Sequence, residues 1–233
     1  MATENHLVLL PGSLCDEAVW DHQAEAFSDD WTVLAPHLVG HPTIESMASA
    51  ALSQAPPHFS LVGFSMGGRV ALEMMRRAPA RIQRLALLDT SVHPVADGEA
   101  LRRQELIDLA FEKGMETVAR SWLPRLVHPS RRNEEALMNR LIEMACRFTP
   151  AEYREEVNAL LNRPDPRPVL DEVRCPVLVL SGRQDPLSTP ERNLEIARRV
   201  GAPMILLDDC GHFPMLEAPE ATNDALRSWL LRT

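Results

Sequence analysis

Apolar residues along this chain form short continuous runs that alternate with longer segments of helical periodicity. The short runs have the length and branched residues of buried strands. They predict strands over residues 7–10, 32–38, 59–62, 85–88, 176–181 and 204–207. Continuous apolar strands that alternate with helices are typical of a parallel sheet covered by helices on both faces.

The alternation stops after the fourth predicted strand. From Ser91 to about Asn162 the pattern predicts no strand, and apolar positions fall at helical spacing over residues 101–111, 116–127, 133–148 and 151–161. We therefore expect one α/β domain made of residues 1–90 and 164–233. In this interpretation residues 91–163 form an all-helical cap that is inserted after the fourth strand.

The third predicted strand leads directly into Gly63-Phe64-Ser65-Met66-Gly67-Gly68, and a predicted helix follows to about Ala78. A serine at the apex of so sharp a turn needs glycine two positions before and after it, because side chains there would clash. The serine backbone is then strained and its hydroxyl projects, while the first helical turn offers free N–H groups to negative charge. The stretch therefore predicts a nucleophile elbow with Ser65 at its apex.

Two other interpretations of this stretch remain open from the residues alone. It could be an ordinary glycine-rich turn between a strand and a helix. It could also be a dinucleotide loop, because Gly63, Ser65 and Gly68 occupy the glycine positions of G-x-G-x-x-G and Asp89 follows at a strand end. Against the dinucleotide loop, the middle position is serine and the stretch follows the third strand rather than the first.

Composition excludes several classes of function. The formal charge of −9, with no basic run longer than a pair of arginines, argues against nucleic acid or an anionic membrane surface as a partner. Lys113 is the only lysine, which excludes a P-loop and makes a Schiff-base mechanism improbable. No segment approaches the roughly 20 apolar residues of a membrane span.

The cysteines and the N-terminus favour a cytoplasmic protein. Cys15, Cys146, Cys175 and Cys210 are far apart and show no metal-binding spacing, so we expect reduced thiols and no metal. The first six residues have no basic segment, and the apolar run after them is too short for a signal peptide.

Three polar residues stand at the carboxyl ends of predicted strands, where open parallel sheets bind ligands. They are Ser65, Asp185 and His212, and their order along the chain is that of the catalytic triads that follow a nucleophile elbow. An imidazole takes the proton of the serine hydroxyl, and a carboxylate fixes the tautomer of the imidazole.

Each of these residues also has an alternative interpretation. Asp185 precedes Pro186 and could simply form a turn. Asp89 also ends a strand and could be the triad acid instead. His212 could be an ordinary loop histidine.

The combined motifs resemble the α/β-hydrolase superfamily over nearly the whole chain, and within it compact bacterial esterases and enol-lactone hydrolases. The resemblance rests on Leu9-Leu10-Pro11-Gly12, the Gly63–Gly68 elbow, the helical insertion, Gly182-Arg183-Gln184-Asp185 and Cys210-Gly211-His212. Leu88-Asp89-Thr90 and the proline-rich stretch from Arg163 to Pro168 prompt the narrower comparison. The chain departs from the family pattern at its start, because the segment before Leu7 is too short for the two antiparallel strands that many members carry. We therefore expect a sheet of six strands, all parallel.

The resemblance also implies roles for individual residues. Ser65 would be the nucleophile, Asp185 the acid and His212 the base. Met66 would contribute one backbone N–H to the oxyanion hole, and Ser13 would contribute the other. Leu14 is a second choice for the latter donor, because Pro11 stands where many members have histidine.

Contacts with the substrate are expected from Leu14, Trp122, Leu126 and Phe213, although Trp122 and Leu126 could equally pack within the cap. His37 and His41 lie near the predicted mouth of the site and are expected to be loop residues.

Arg163 and Arg167 could bind a substrate carboxylate or could be solvated or salt-bridged.

The sequence thus predicts a serine hydrolase that cleaves a small or medium carboxylic ester or lactone through an acyl-enzyme, without a cofactor. Other enzymes that the same triad would serve are a cofactor-free perhydrolase, a C–C bond hydrolase and a hydroxynitrile lyase. Two alternatives without catalysis are a ligand-binding receptor of the same fold with little turnover and a structural module with a relict site. The expected partner is a small molecule, and the sequence leaves the oligomeric state open.

Overall fold

The computed structural model describes residues 5–231, and it contains a six-stranded sheet with the strand order β2-β1-β3-β4-β5-β6. Every neighbouring pair of strands is parallel, so the predicted six-stranded parallel sheet is confirmed. The strands are β1 (His6–Leu10), β2 (Thr32–Leu34), β3 (Phe59–Phe64), β4 (Ile82–Leu88), β5 (Val177–Gly182) and β6 (Met204–Leu207). The prediction that the chain does not begin with a signal peptide rests partly on residues 1–4, which lie outside the described residues.

The strands alternate with helices, except between β4 and β5. The helices are α1 (Asp21–Phe27), α2 (Ile44–Gln54), α3 (Met66–Arg77), α4 (Glu99–Lys113), α5 (Met115–Trp122), α6 (Glu135–Cys146), α7 (Pro150–Leu161), α8 (Arg167–Glu172), α9 (Pro190–Val200), α10 (Pro214–Glu217) and α11 (Pro219–Leu230). Helices α4 to α7 follow β4 without an intervening strand, as predicted, and we call residues 99–161 the helical segment.

Both faces of the sheet are covered, which explains why the strands are continuously apolar. Along β1, Leu7 and Leu9 belong to one buried cluster, whereas Val8 and Leu10 belong to the other. Successive side chains of a strand point to opposite faces, so each face needs its own apolar set. The helical segment packs into the same cluster as Leu7 and Leu9.

Prolines account for two boundaries that the sequence pattern placed wrongly. The second strand ends at Leu34 instead of residue 38, and Pro36 follows shortly after. Helix α5 ends at Trp122 instead of residue 127, and Leu123–Arg125 form a 3₁₀ turn around Pro124. Proline has no N–H to donate to a sheet or to the preceding helical turn. The short helices α8 and α10 were not predicted.

Arg163 joins the two ends of the helical segment. Its guanidinium forms a two-pronged ion pair with Glu99, at 2.8 and 2.9 Å, and also donates to the carbonyl oxygens of Leu160 and Pro94. Burial opposes ionisation of Glu99, but the hydrogen bonds from Arg163 contribute to a pKa of about 2. The salt-bridged interpretation of Arg163 is therefore the one the structure shows. Arg167 pairs with the exposed Asp165.

Candidate active site

The elbow between β3 and α3 holds Ser65 in a strained conformation, with φ 52° and ψ −114°. A Cβ added to Gly63 would lie 2.6 Å from the carbonyl oxygen of Gly67, and one added to Gly67 would meet the carbonyl oxygens at the end of β1. The strain is held from β4, because the Ser65 N–H donates to the Leu88 carbonyl at 3.0 Å and the Thr90 hydroxyl donates to the Ser65 carbonyl at 2.7 Å. Neighbouring strands thus over-determine the turn.

The three predicted polar residues meet at the carboxyl edge of the sheet. His212 Nε2 lies 3.0 Å from Ser65 Oγ, and His212 Nδ1 lies 2.7 Å from Asp185 Oδ2. The side chains of Asp185 and His212 are 0% and 3% exposed. This chain of hydrogen bonds has the connectivity in which an imidazole removes a hydroxyl proton while a carboxylate holds it in place.

Asp185 is held ionised by its surroundings. Its Oδ1 accepts the N–H groups of Leu187 at 2.7 Å and Ser188 at 3.1 Å. Burial opposes ionisation, but the charge and hydrogen bond of His212, together with the Leu187 N–H, hold the pKa of Asp185 below its ordinary value. The carboxylate therefore satisfies both of its oxygens, one with the backbone and one with the imidazole.

Asp89, the alternative acid, lies behind Asp185 and does not bond to His212. It is fully buried, and its Oδ1 accepts the Ser181 hydroxyl at 2.8 Å and the Gly182 N–H at 3.0 Å. Burial and the neighbouring Asp185 raise the pKa of Asp89 well above its ordinary value. The buried site therefore favours the neutral form of Asp89 over its carboxylate.

The loop after β1 packs against the elbow. A Cβ added to Gly12 would lie 3.2 Å from the Ser65 Cβ, so the backbone of this loop lies directly beside the serine. Within residues 5–231, neither the Ser13 N–H nor the Met66 N–H has a protein acceptor, so both are free to bind an oxyanion. The Leu14 N–H instead donates to Glu156 at 2.9 Å, which excludes it as a donor in this conformation.

Two buried carboxylates that sequence reasoning missed hold the loops around the site. Glu156 of α7 accepts the Ser13 hydroxyl and the Leu14 N–H. Glu217 of α10 accepts the N–H groups on both sides of His212, those of Gly211 at 3.1 Å and Phe213 at 3.0 Å. In the sequence, the burial of Glu217 is indicated only by the apolar residues Phe213-Pro214-Met215-Leu216 directly before it.

The surroundings of the imidazole are aromatic and apolar. The ring centroids of Phe64 and Phe213 lie 5.0 and 5.4 Å from that of His212. The backbone N–H of His212 donates to the Leu126 carbonyl oxygen at 2.8 Å. Phe64 was also missed by sequence reasoning. Trp122 packs against the same apolar cluster, to which Leu14 also belongs.

His37 lines a small cleft with Gly12, Met66 and Glu156. Ser65 and His212 do not line this cleft, whereas Met66, the residue after the proposed nucleophile, does. Both His37 and His41 lie in loops, as expected.

Some features are absent from the described part of the chain. Residues 5–231 contain no group of three or more His, Cys, Asp and Glu side chains arranged to hold a metal ion. None of the helices in this range is long and apolar enough to cross a membrane. The cysteines at 15, 146, 175 and 210 are free thiols.

Two esterases and an enol-lactonase resemble the chain over most of its length. A pimeloyl-[acyl-carrier protein] methyl ester esterase from Aromatoleum aromaticum is 30% identical, over 92% of this chain and 93% of that protein. A thermophilic esterase from Thermogutta terrifontis is 28% identical, with a TM-score of 0.85 over 98% of this chain and 90% of that one. An enol-lactonase from Burkholderia xenovorans is 24% identical, with a TM-score of 0.87 over 99% of this chain and 93% of that one, which shows the shared fold.

The family model of the alpha/beta hydrolases covers the elbow, the acid and the histidine together. It matches residues 7–225, which include β1 through most of α11. The strand order, the elbow after β3 and the helices between β4 and β5 agree with that assignment. The chain belongs to the alpha/beta hydrolase family.

Proposed function

We propose that this protein is a serine hydrolase that cleaves a small or medium carboxylic ester or lactone through an acyl-enzyme on Ser65. The observation that carries the proposal is the unbroken hydrogen-bonded chain from Ser65 through His212 to Asp185, buried beside two free backbone N–H groups. The esterases among its relatives support the same class of reaction.

The proposed reaction has two halves. Ser65 Oγ attacks the ester carbonyl carbon and its proton passes to His212 Nε2, while the carbonyl oxygen becomes an oxyanion that the Ser13 and Met66 N–H groups bind. The C–O bond to the alcohol then breaks, and His212 returns the proton to the departing alkoxide. In the second half His212 takes a proton from water, the hydroxide attacks the acyl carbon, and Ser65 leaves with the proton.

Asp185 is proposed to hold the imidazole in the tautomer that accepts the serine proton and to stabilise the imidazolium that forms. Losing one oxyanion donor in such a site costs about 10²–10³ in rate. The chemistry is complete with these side chains and backbone groups, and we propose no cofactor.

The apolar surroundings of His212 favour an ester with an apolar acyl or alcohol group. We propose that the helical segment acts as a cap over this group, because Phe64 and Phe213 pack in one cluster with Leu123 and Leu126. Leu126, Phe213, Trp122 and Leu14 are the proposed substrate contacts. The free thiols support a cytoplasmic location.

Labelling with a fluorophosphonate, read by intact mass, tests the nucleophile. We expect one adduct on the wild type and none on Ser65→Ala. Turnover is then screened with p-nitrophenyl esters of increasing chain length, with lactones, and with pimeloyl methyl esters because of the relative from Aromatoleum aromaticum. Folded wild-type protein that takes no adduct would refute the serine-hydrolase proposal, and ligand-induced thermal shifts would then test the receptor alternative.

A further inference from the structure

Glu156 is a buried carboxyl group that reaches from α7 into the loop after β1. Glu156 is only 4% exposed. Its Oε2 accepts two hydrogen bonds, from Ser13 Oγ at 2.7 Å and from the Leu14 N–H at 2.9 Å. Glu156 is separated from these residues by more than half of the chain, so the contact joins the helical segment to the sheet domain.

The position of Glu156 is energetically costly and needs an explanation. Burying a carboxyl group is unfavourable unless it is hydrogen-bonded, and the charged form is penalised most. Burial raises the pKa of Glu156 to about 7, although the hydrogen bonds from Ser13 and Leu14 oppose that shift. Its two hydrogen bonds to the loop after β1 are interactions that an apolar residue at this position could not make.

The loop that Glu156 contacts contains a residue in an uncommon backbone conformation. Leu14 has a positive φ of 58°, which a residue with a side chain keeps only where the surrounding structure holds it. The Glu156 carboxyl receives the N–H of this strained residue and the hydroxyl of the residue before it. The two bonds therefore restrain the backbone on both sides of the Ser13–Leu14 peptide.

We infer that Glu156 is a positioning residue for the oxyanion hole. By holding Ser13 Oγ and the Leu14 N–H, it fixes the loop so that the Ser13 N–H stays free beside Ser65, and it removes Leu14 as a competing donor. This inference rests on the proposed function, because the oxyanion hole matters only if Ser65 forms a tetrahedral intermediate. The donor geometry then depends on α7 being packed against the sheet domain.

The test compares three variants with the wild type. Glu156→Ala removes the acceptor, Glu156→Gln keeps an acceptor oxygen without the charge, and Glu155→Ala is the matched control on the same helix. The readouts are kcat, KM and the inhibition constant of a trifluoromethyl ketone. That ketone adds to Ser65 to form a hemiketal oxyanion, so its affinity reports on the oxyanion hole.

For Glu156→Ala we expect kcat to fall about 10- to 100-fold with little change in KM, because misplacing a catalytic group by about 1 Å costs this much. The inhibition constant of the ketone should rise by a similar factor. Glu156→Gln should restore most of both values, and Glu155→Ala should match the wild type. If Glu156→Ala does not fold, Glu156→Asp withdraws the acceptor by one methylene and should lower kcat about tenfold.

The outcomes separate this inference from the proposed function. A folded Glu156→Ala enzyme with wild-type kcat and wild-type ketone affinity would overturn the inference while leaving the hydrolase intact. A lower melting temperature with an unchanged kcat would overturn it as well, because it would indicate a structural role alone. A wild type without Ser65-dependent turnover or labelling would refute the proposed function, and this inference with it.

Discussion

Replacing Glu156 with glutamine removes a buried ionisable group and leaves an oxygen that can accept the same two hydrogen bonds. The pKa of Glu156 in the folded protein is about 7, against 4.5 for an ordinary glutamate, because burial disfavours the charge. Between these two values the folded protein holds a proton that the unfolded chain has released. The carboxyl group therefore stabilises the folded state fully below about pH 4.5, and this stabilisation is lost as the pH rises through 7.

The size of the effect follows from the difference between 4.5 and about 7. At about 1.4 kcal/mol for each pKa unit, this difference corresponds to roughly 3.5 kcal/mol in the free energy of unfolding. As the pH rises from about 5 to 8.5, the free energy of unfolding of the wild type should fall by about 2 to 3 kcal/mol relative to that of Glu156→Gln. Burial and the charge of Glu156 raise the pKa of Cys15 above its ordinary value of 9.0, and burial raises that of Tyr153 to about 12. Neither group titrates in the folded protein between about pH 5 and pH 8.5, so the difference between the two proteins reports on Glu156.

Urea unfolding followed by far-ultraviolet circular dichroism at several pH values measures this difference directly. Glu155→Gln is the control, and its stability should follow the wild-type pH dependence, because Glu155 is only partly buried. Parallel pH profiles for the wild type and Glu156→Gln would refute the reasoning, since they would show that Glu156 titrates alike in the folded and unfolded chains.

Three further predictions concern groups that support the site. Glu217→Ala leaves the N–H groups beside His212 unpaired, at a cost of about 1–3 kcal/mol each. We expect a lower melting temperature in thermal unfolding and a lower kcat, and unchanged values of both would contradict the role of Glu217 in holding His212. Burial and the neighbouring Asp185 raise the pKa of Asp89 and so favour its neutral form, which an amide can replace, and we expect Asp89→Asn to change kcat less than about tenfold. A larger loss in steady-state kinetics would indicate that Asp89 acts as a carboxylate. Gly67→Ala should lower the free energy of unfolding by about 1–3 kcal/mol or more in urea titrations, because its Cβ would meet backbone oxygens at the end of β1, and a wild-type value would contradict this crowding.

The architecture of this protein could be predicted from its sequence because it depends on patterns that are local or ordered along the chain. Continuous apolar runs predict a sheet covered on both faces, and the six parallel strands are confirmed. The glycines around Ser65 predict a sharp turn, and the order of Ser65, Asp185 and His212 follows from where strands end. These three side chains could therefore be named without knowing their distances.

Element boundaries depended on weaker signals. The helix predicted over residues 116–127 ends at Trp122, and Pro124 in the sequence already indicated a break. The short helices α8 and α10 contain 6 and 4 residues, too few for helical periodicity to be recognised. Their formation depends on the packing around them more than on their own residues.

Tertiary structure alone decided which charged residues are buried and what they hold. Glu156 and Glu217 resemble surface glutamates in the sequence, yet each accepts backbone N–H groups beside the proposed catalytic residues. Asp89 and Asp185 both follow strands, and only their packing raises the pKa of Asp89 and bonds the other carboxyl group to His212. The physical reason is that burial and long-range hydrogen bonds set the charge of a carboxyl group, and no local pattern of the sequence encodes either of them.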